Sequence, residues 1–128
     1  MLVRLALGTQ VAGVFTRSST RAACILDCQA KLASATAKAA DTGAAIIVNS
    51  GNSNAFTGKA GQASVDAVTG SVAKALGLPS AQVFSSSTGV IGEPLPHDRI
   101  TAAIDKLAAG LSEDAIEDAA RAIMTTDT

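Results

Sequence analysis

Aromatic residues are the scarcest class in this 128-residue sequence, which contains three Phe, no Trp and no Tyr. Proteins that bind single-stranded nucleic acid stack bases on aromatic side chains, and such platforms are largely missing here. Ten basic against eleven acidic residues give a net charge of −1 with no block of one sign. The positive surface of a nucleic-acid or anionic-membrane binder is therefore missing too. We expect neither nucleic acid nor a membrane as a partner.

Histidine and cysteine are also rare, with His97 the single histidine and Cys24 and Cys28 the two cysteines. These three side chains cannot supply the four ligands of a structural zinc site, so we expect no metal. The thiols are expected to be small buried apolar groups, with a redox pair as the alternative. If residues 22–28 formed a strand, both thiols would lie on one face of it, since side chains repeat with period two.

Long apolar runs are absent as well, and none approaches the roughly 18 residues of a membrane span. Residues 1–15 begin like a signal peptide, but residues 8–10 interrupt the apolar stretch. Arg17 and Arg21 then lie where a cleavage site needs small residues, which argues against a signal. We expect a cytoplasmic protein.

Hydrophobic residues make up 48% of the chain against 16% charged residues, which predicts one folded domain rather than disorder. Period-two and short apolar runs predict strands, and 3.6-residue spacing predicts helices. The strands are expected at residues 2–7 and 11–16 (a hairpin), 22–27, 44–48 (central in the sheet) and 81–84. The helices are expected at residues 30–40, from about 65 to Leu76 before Gly77, from Ile100 to Leu111, and after an N-cap at Ser112. Strands followed by alternating helices and strands predict an α/β (α+β) fold with a mixed sheet covered by helices.

The first of two polar segments, Asn49–Gly58, follows the predicted central strand. A helix N-terminus after such a loop can bind phosphate, but the glycine spacing fits neither a P-loop nor a dinucleotide fingerprint. Asn52 and Asn54 can hydrogen-bond their own backbone and hold tight turns, so a structural loop is expected. The alternative is a noncatalytic anion- or ligand-binding α/β module that uses this loop.

The second polar segment, residues 85–92, places four hydroxyl side chains before a glycine at the end of a strand. An adjacent O–H and backbone N–H can stabilise the oxyanion of an acyl-transfer reaction. A serine nucleophile is not favoured, because it needs a base and His97 is expected to be an exposed residue in the first turn of a helix.

Four motifs occur in one order along the chain: residues 12–16 (AGVFT), 48–55 (VNSGNSNA), 86–92 (SSTGVIG, followed by Leu95 and Pro96) and 122–128 (AIMTTDT). In these motifs the chain resembles the bifunctional ornithine acetyltransferase and glutamate N-acetyltransferase family of arginine biosynthesis over essentially its whole length. The resemblance implies mixed sheets sandwiched by helices.

The resemblance also implies a ping-pong reaction in which N-acetylornithine acetylates a threonine and glutamate then takes the acetyl group. That threonine becomes the N-terminus of a second chain by self-cleavage of a precursor, so its own α-amine can act as the base. Thr88 and Gly89 correspond to the oxyanion hole of the family. A threonine of the last motif contacts substrate, with Thr128 favoured over Thr126. No cofactor is implied, and acetyl-CoA is left open as a second acetyl donor.

The partners implied are the small molecules N-acetylornithine and glutamate and the β chain of the same precursor, in an α2β2 heterotetramer. Family members have a further N-terminal segment, and they continue to a substrate-binding lysine and an Ala-Thr cleavage site. The 128 residues contain none of these. Ser53 and Cys24 replace the common Ala and Pro. We therefore predict that residues 1–128 are a single partial domain of the α chain, which has the oxyanion hole but no nucleophile and is inactive alone.

Overall fold

A three-stranded mixed sheet forms the centre of the structure, a computed structural model that describes residues 1–34 and 42–125. Strand β1 is Leu2–Leu5, β2 is Ala44–Asn52 and β3 is Val83–Val90. The order is β1-β2-β3, with β2 antiparallel to β1 and parallel to β3. The prediction of a central strand at residues 44–48 is confirmed, and the strand extends four residues further.

The described part of the chain also forms the helices α1 Ala23–Ser34, α2 Gly58–Leu76, α3 His97–Ala109 and α4 Ile116–Ala122. The predicted end of α2 is confirmed, since Gly77 has φ 65° and can adopt the left-handed conformation of a helix C-cap. Ser112 is an N-cap, as predicted, since its Oγ accepts a 3.3 Å hydrogen bond from the Asp114 N–H, but it caps the short 3₁₀ helix Glu113–Ala115 that precedes α4 rather than α4 itself.

The two faces of the sheet carry separate clusters of buried side chains, because successive side chains of a strand point to opposite faces. On one face, Ala45 and Ile47 of β2 pack with α2 and α3 in a cluster that also contains Leu2, Val68, Val72, Ala73, Leu78, Val83 and Ile104. On the other face, Ala44 and Phe84 pack with Cys28 of α1. Helices thus pack on both sides of the sheet, and the α/β class is confirmed.

The strand predicted at residues 22–27 is wrong, because α1 begins at Ala23. A short apolar run does not distinguish a strand from a buried helix segment. Cys24 and Cys28 still share a face, but by the four-residue spacing of a helix, and both are buried and unpaired. Of the helix predicted at residues 30–40, α1 contains the part up to Ser34, and residues 35–41 lie outside the described residues.

The hairpin predicted around residues 8–10 is also wrong. β1 ends at Leu5, and residues 11–16 form neither strand nor helix. Val11 and Phe15 pack against the Cys28 cluster, whereas Val14 is 99% exposed. The segment therefore packs on the core through two of its apolar side chains without pairing as a strand.

Strand β3 begins at Val83 rather than at residue 81, because Ser80–Gln82 form a 3₁₀ helix, and it continues beyond the predicted end to Val90, so residues 85–90 form a strand rather than a loop. Likewise β2 includes Asn49 to Asn52, the first part of the expected polar loop. Backbone hydrogen bonds between parallel strands do not require apolar side chains. Within residues 1–34 and 42–125, no helix has the length and apolar character needed to cross a membrane.

Candidate active site

The carboxyl ends of β2 and β3 lie side by side and bring the two polar segments together. Ser50 pairs with Thr88 and Gly51 pairs with Gly89, after which the register shifts at Asn52. Thr88 is half-buried and Gly89 is exposed. In open α/β sheets, ligands bind outside the carboxyl ends of the strands, and an irregular pairing here can redirect a side chain.

Gly89 occupies a position that excludes any side chain. Its φ is 128°, which other residues rarely adopt. A Cβ at this residue would lie 2.6 Å from the backbone nitrogen of Asn52 and 2.6 Å from the carbonyl oxygen of Gly51. The two strand backbones therefore touch where Thr88 and Gly89 are located.

The side chain of Asn49 connects the two strands just before this contact. Its Oδ1 accepts a 2.6 Å hydrogen bond from Ser87 Oγ, and its Nδ2 donates a 2.7 Å hydrogen bond to the Asn52 carbonyl. Sequence reasoning treated Asn49 only as the start of a polar loop. The Asn49–Ser87 bond joins residues 38 apart, and no local pattern encodes it.

The remainder of the first polar segment is held by its own amide groups. Asn52 Oδ1 accepts from the Asn54 N–H at 2.7 Å, and Asn52 Nδ2 donates to the Glu93 carbonyl at 3.0 Å. Asn54 is fully buried, and its Nδ2 donates to the Gly61 carbonyl at 3.0 Å. Ser53 donates to the Val90 carbonyl through both its N–H and its hydroxyl. The Asn52–Asn54 bond is the kind of local turn bond that the sequence predicted, whereas the others join the segment to residues 61, 90 and 93.

His97 is the first residue of α3, as predicted, but its side chain makes polar contacts that the sequence did not predict. Its Nδ1 lies 2.9 Å from Ser64 Oγ, and its Nε2 lies 3.7 Å from a carboxylate oxygen of the exposed Asp98. Ser64 is buried on α2 and also donates to the Ala60 carbonyl. The cavity that Ser64 lines measures about 10 Å³, room for a water molecule and not for an acyl substrate.

Helix α1 packs against β3 through two side-chain donors. Cys28 Sγ donates to the Ser85 carbonyl at 3.3 Å, and Lys31 Nζ donates to the Val83 carbonyl at 2.9 Å. Burial raises the pKa of Cys28, and it also raises the pKa of Cys24. A raised pKa keeps a thiol protonated and unreactive, which favours buried structural thiols over the redox pair.

The two predicted substrate-binding threonines, Thr126 and Thr128, lie outside the described residues. The chain shortly before them is described, and Ser50 Oγ donates a 2.9 Å hydrogen bond to the Met124 carbonyl. Since Ser50 pairs with Thr88, Met124 lies at the same end of the sheet as the Thr88–Gly89 pair.

Known proteins resemble this chain over its whole length. The "Arginine biosynthesis bifunctional protein ArgJ" of Ruegeria pomeroyi is 63% identical over all 128 residues, and that of Nitrobacter winogradskyi is 46% identical over the same span. In both cases the chain spans about 30% of the length of the relative.

Two crystal structures share the fold. The ArgJ protein of Bacillus halodurans superposes with a TM-score of 0.74 at 35% identity, over 98% of this chain and 61% of that chain. An ornithine acetyltransferase of Mycobacterium tuberculosis, crystallised with ornithine, superposes with a TM-score of 0.82 at 37% identity, over 92% of this chain and 62% of that one. The ArgJ family matches residues 1–128. The chain therefore belongs to the ArgJ family, that of the bifunctional ornithine acetyltransferases and glutamate N-acetyltransferases predicted from its motifs.

Proposed function

We propose that this chain provides the oxyanion hole of an acetyltransferase that moves an acetyl group from N-acetylornithine to glutamate. Family membership supports the chemistry, and the ornithine bound to the Mycobacterium tuberculosis protein supports the substrate class. The observation that carries the assignment is the position of Thr88 and Gly89, at the end of two parallel strands whose backbones touch. Acetyl-CoA is a second acetyl donor compatible with the same chemistry.

The reaction passes through a threonine ester in two half-reactions. The hydroxyl oxygen of the nucleophilic threonine, which lies outside these 128 residues, attacks the acetyl carbonyl carbon, and the C=O electron pair moves onto oxygen. The oxyanion then collapses and the C–N bond to ornithine breaks, while the hydroxyl proton passes through the α-amine of that threonine to the leaving amine. The amine of glutamate then attacks the carbonyl carbon of the ester, the C–O bond to the threonine breaks, and a proton of the glutamate amine passes through the same α-amine to the threonine oxygen.

Thr88 and Gly89 act on the negative oxygen of each tetrahedral intermediate. The Thr88 hydroxyl makes no hydrogen bond to any other part of the described chain, so it is available to a ligand. A fixed O–H and the Gly89 N–H oppose the charge without reorganising, which is the largest effect in many acyl transfers. Because Gly89 has no Cβ, the β2 backbone at Gly51 and Asn52 can lie directly against it, and this contact helps to fix the Gly89 N–H.

The proposal extends to partners and to the last motif. The nucleophile would come from a β chain of the same precursor, in an α2β2 assembly. Residues 1–128 would then be a partial domain of the α chain. Thr128, or else Thr126, would contact the substrate. The hydrogen bond from Ser50 to the Met124 carbonyl supports this, because it holds the preceding residues near Thr88.

The test uses a hybrid enzyme in which these 128 residues replace the matching part of the Ruegeria pomeroyi protein. Thr88→Ala should lower kcat by about 100- to 1000-fold, as loss of a single oxyanion donor does. Thr88→Ser keeps the donor and should retain most activity. KM should change little, because the ground-state carbonyl gains less from the donor than the oxyanion does.

Ser86→Ala is the matched control, since Ser86 is two residues before Thr88 and on the same face of β3. It should leave kcat within a few-fold of the parent hybrid. Melting temperature and kcat are measured on the same Thr88→Ala preparation. A lowered melting temperature with unchanged kcat would remove Thr88 from the catalytic machinery and leave it a structural role.

A further inference from the structure

We infer that Asn49 is a positioning residue, whose side-chain amide holds the Thr88–Gly89 pair in the geometry needed for catalysis. This inference rests on the proposed function of that pair. Asn49 itself is half-buried and both ends of its amide are already used within the chain. It acts on the oxyanion hole through its neighbours rather than on the substrate.

The amide spans the irregular part of the β2–β3 pairing. Up to Gly51 and Gly89 the residues of the two strands pair one to one, and at Asn52 this register is lost. The ladder is therefore irregular next to Gly89, where Asn52 pairs with both Thr88 and Val90. The 2.7 Å hydrogen bond from Asn49 Nδ2 to the Asn52 carbonyl, both in β2, adds a side-chain bond that holds the β2 backbone at Asn52.

The other end of the amide acts on β3. Ser87 donates to Asn49 Oδ1 at 2.6 Å, and Ser87 is the residue directly before Thr88. One amide thus fixes β3 immediately before the proposed oxyanion donors and fixes β2 immediately opposite them. Misplacement of a catalytic group by about 1 Å can cost about 100-fold in rate. The two hydrogen bonds of the Asn49 amide can therefore contribute to kcat although Asn49 does not touch the substrate.

Asparagine suits this position because it offers an acceptor and a donor on one planar group. A carboxylate of the same shape keeps the acceptor for Ser87. It would, however, place a negative oxygen about 2.7 Å from the Asn52 carbonyl oxygen, where the donated bond is now. Asn49→Asp therefore removes the hydrogen bond to the Asn52 carbonyl with almost no change in side-chain volume.

The experiment measures kcat, KM and melting temperature of Asn49→Asp in the hybrid enzyme. We expect kcat to fall about 10- to 100-fold with KM within about threefold of the parent. Ser87→Ala removes the other hydrogen bond of the Asn49 amide, the one from Ser87 Oγ, and should also lower kcat. Gln62→Glu is the matched control, since it makes the same amide-to-carboxylate change on α2, where Gln62 bonds Asp66. Its kcat should match the parent.

A double variant separates positioning from a merely structural role. If Asn49 acts through the Thr88–Gly89 pair, adding Asn49→Asp to Thr88→Ala should lower kcat by a smaller factor than it does in the parent, because one of the two donors it positions, the Thr88 hydroxyl, is gone while the Gly89 N–H remains. A purely structural residue would lower the melting temperature and leave kcat per folded molecule unchanged. If Asn49→Asp does not fold, Ser87→Ala decides the matter, because it leaves the Asn49 bond to Asn52 in place.

The outcomes also distinguish this inference from the proposed function. Unchanged kcat in Thr88→Ala would overturn the oxyanion hole itself. A large loss in Thr88→Ala, together with parental kcat in Asn49→Asp and Ser87→Ala, would overturn only the positioning role. Fully additive effects of Asn49→Asp and Thr88→Ala on the free energy of activation from kcat would also overturn the positioning role.

Discussion

At the scale of single residues, Gly89 matters most to the candidate site. At Gly89 both the φ of 128° and the contact with the Gly51 and Asn52 backbone exclude a side chain. Strained backbone of this kind is retained when the surrounding structure holds it, and it is often found at active sites. The proposed oxyanion hole thus depends on the absence of a single Cβ.

Gly89→Ala is expected to be strongly destabilising as well as inactivating. The new Cβ would overlap Gly51 and Asn52 backbone atoms, which cannot move aside as a flexible side chain would. This overlap, together with the strain of placing alanine at a positive φ, should lower the free energy of unfolding by at least about 3 kcal/mol. Thermal unfolding of the hybrid enzyme should show a clear fall in melting temperature together with loss of activity.

Gly70→Ala provides the control for this substitution. Gly70 lies within α2, and a Cβ there would meet nothing within 4 Å. Alanine favours a helix over glycine by roughly 0.5–1 kcal/mol, so Gly70→Ala should raise the melting temperature slightly. Equal stability of the Gly89→Ala and Gly70→Ala variants would contradict the close approach of β2 and β3.

At the scale of elements, the sequence predicted the long and strongly periodic segments correctly. Helix α2 has repeated apolar residues and ends at Gly77, and β2 is a compact apolar run, so both were found. The strand predicted at residues 22–27 is wrong because this apolar run is too short to show a period; α1 begins at Ala23, and its Cys28 packs against Phe84 on one face of the sheet. Local sequence cannot report such a contact.

The packing of α1 against β3 gives a pH-dependent prediction. Burial raises the pKa of both Cys24 and Cys28 above the ordinary value of 9.0. The thiols are therefore held neutral in the folded state, and their contribution to stability is complete below about pH 9. It is lost as the pH rises through the higher folded-state pKa values.

The measurement compares the hybrid enzyme with its Cys24→Ala/Cys28→Ala variant between pH 7 and pH 10.5. The melting temperature of the parent should fall more steeply above pH 9 than that of the variant. In the native parent at pH 7.5, both thiols should react with iodoacetamide only slowly, as mass spectrometry of the modified peptides would record. Rapid modification without unfolding would contradict the burial of this helix face.

At the scale of the whole molecule, the sequence indicated the residues of the candidate site but not their contacts. The motifs marked Thr88 and Gly89, and the structure brings them beside Gly51, which is 38 residues from Gly89. The Ser64–His97 bond joins residues 33 apart and was not foreseen for the same reason. Hydrogen bonds between distant segments depend on the register of the fold, which no local pattern specifies.

The apolar surface of these residues leads to the last prediction. Large hydrophobic side chains are exposed at both ends of the described chain and beside the site: Leu7, Val14, Phe56, Val90, Ile91 and Ile116. In the described sheet, β1 pairs with β2 alone and leaves its other edge open. Exposed apolar groups and an open strand edge promote association.

We therefore expect the 128-residue polypeptide, expressed by itself, to be oligomeric or poorly soluble, whereas the hybrid enzyme gives one discrete species. The relatives are more than three times as long, so they have further chain with which to cover such surfaces. Size-exclusion chromatography with light scattering, at several concentrations, measures the difference. A sharp monomer peak that persists at high concentration, with cooperative thermal unfolding, would mean that these 128 residues bury enough apolar surface to be stable alone.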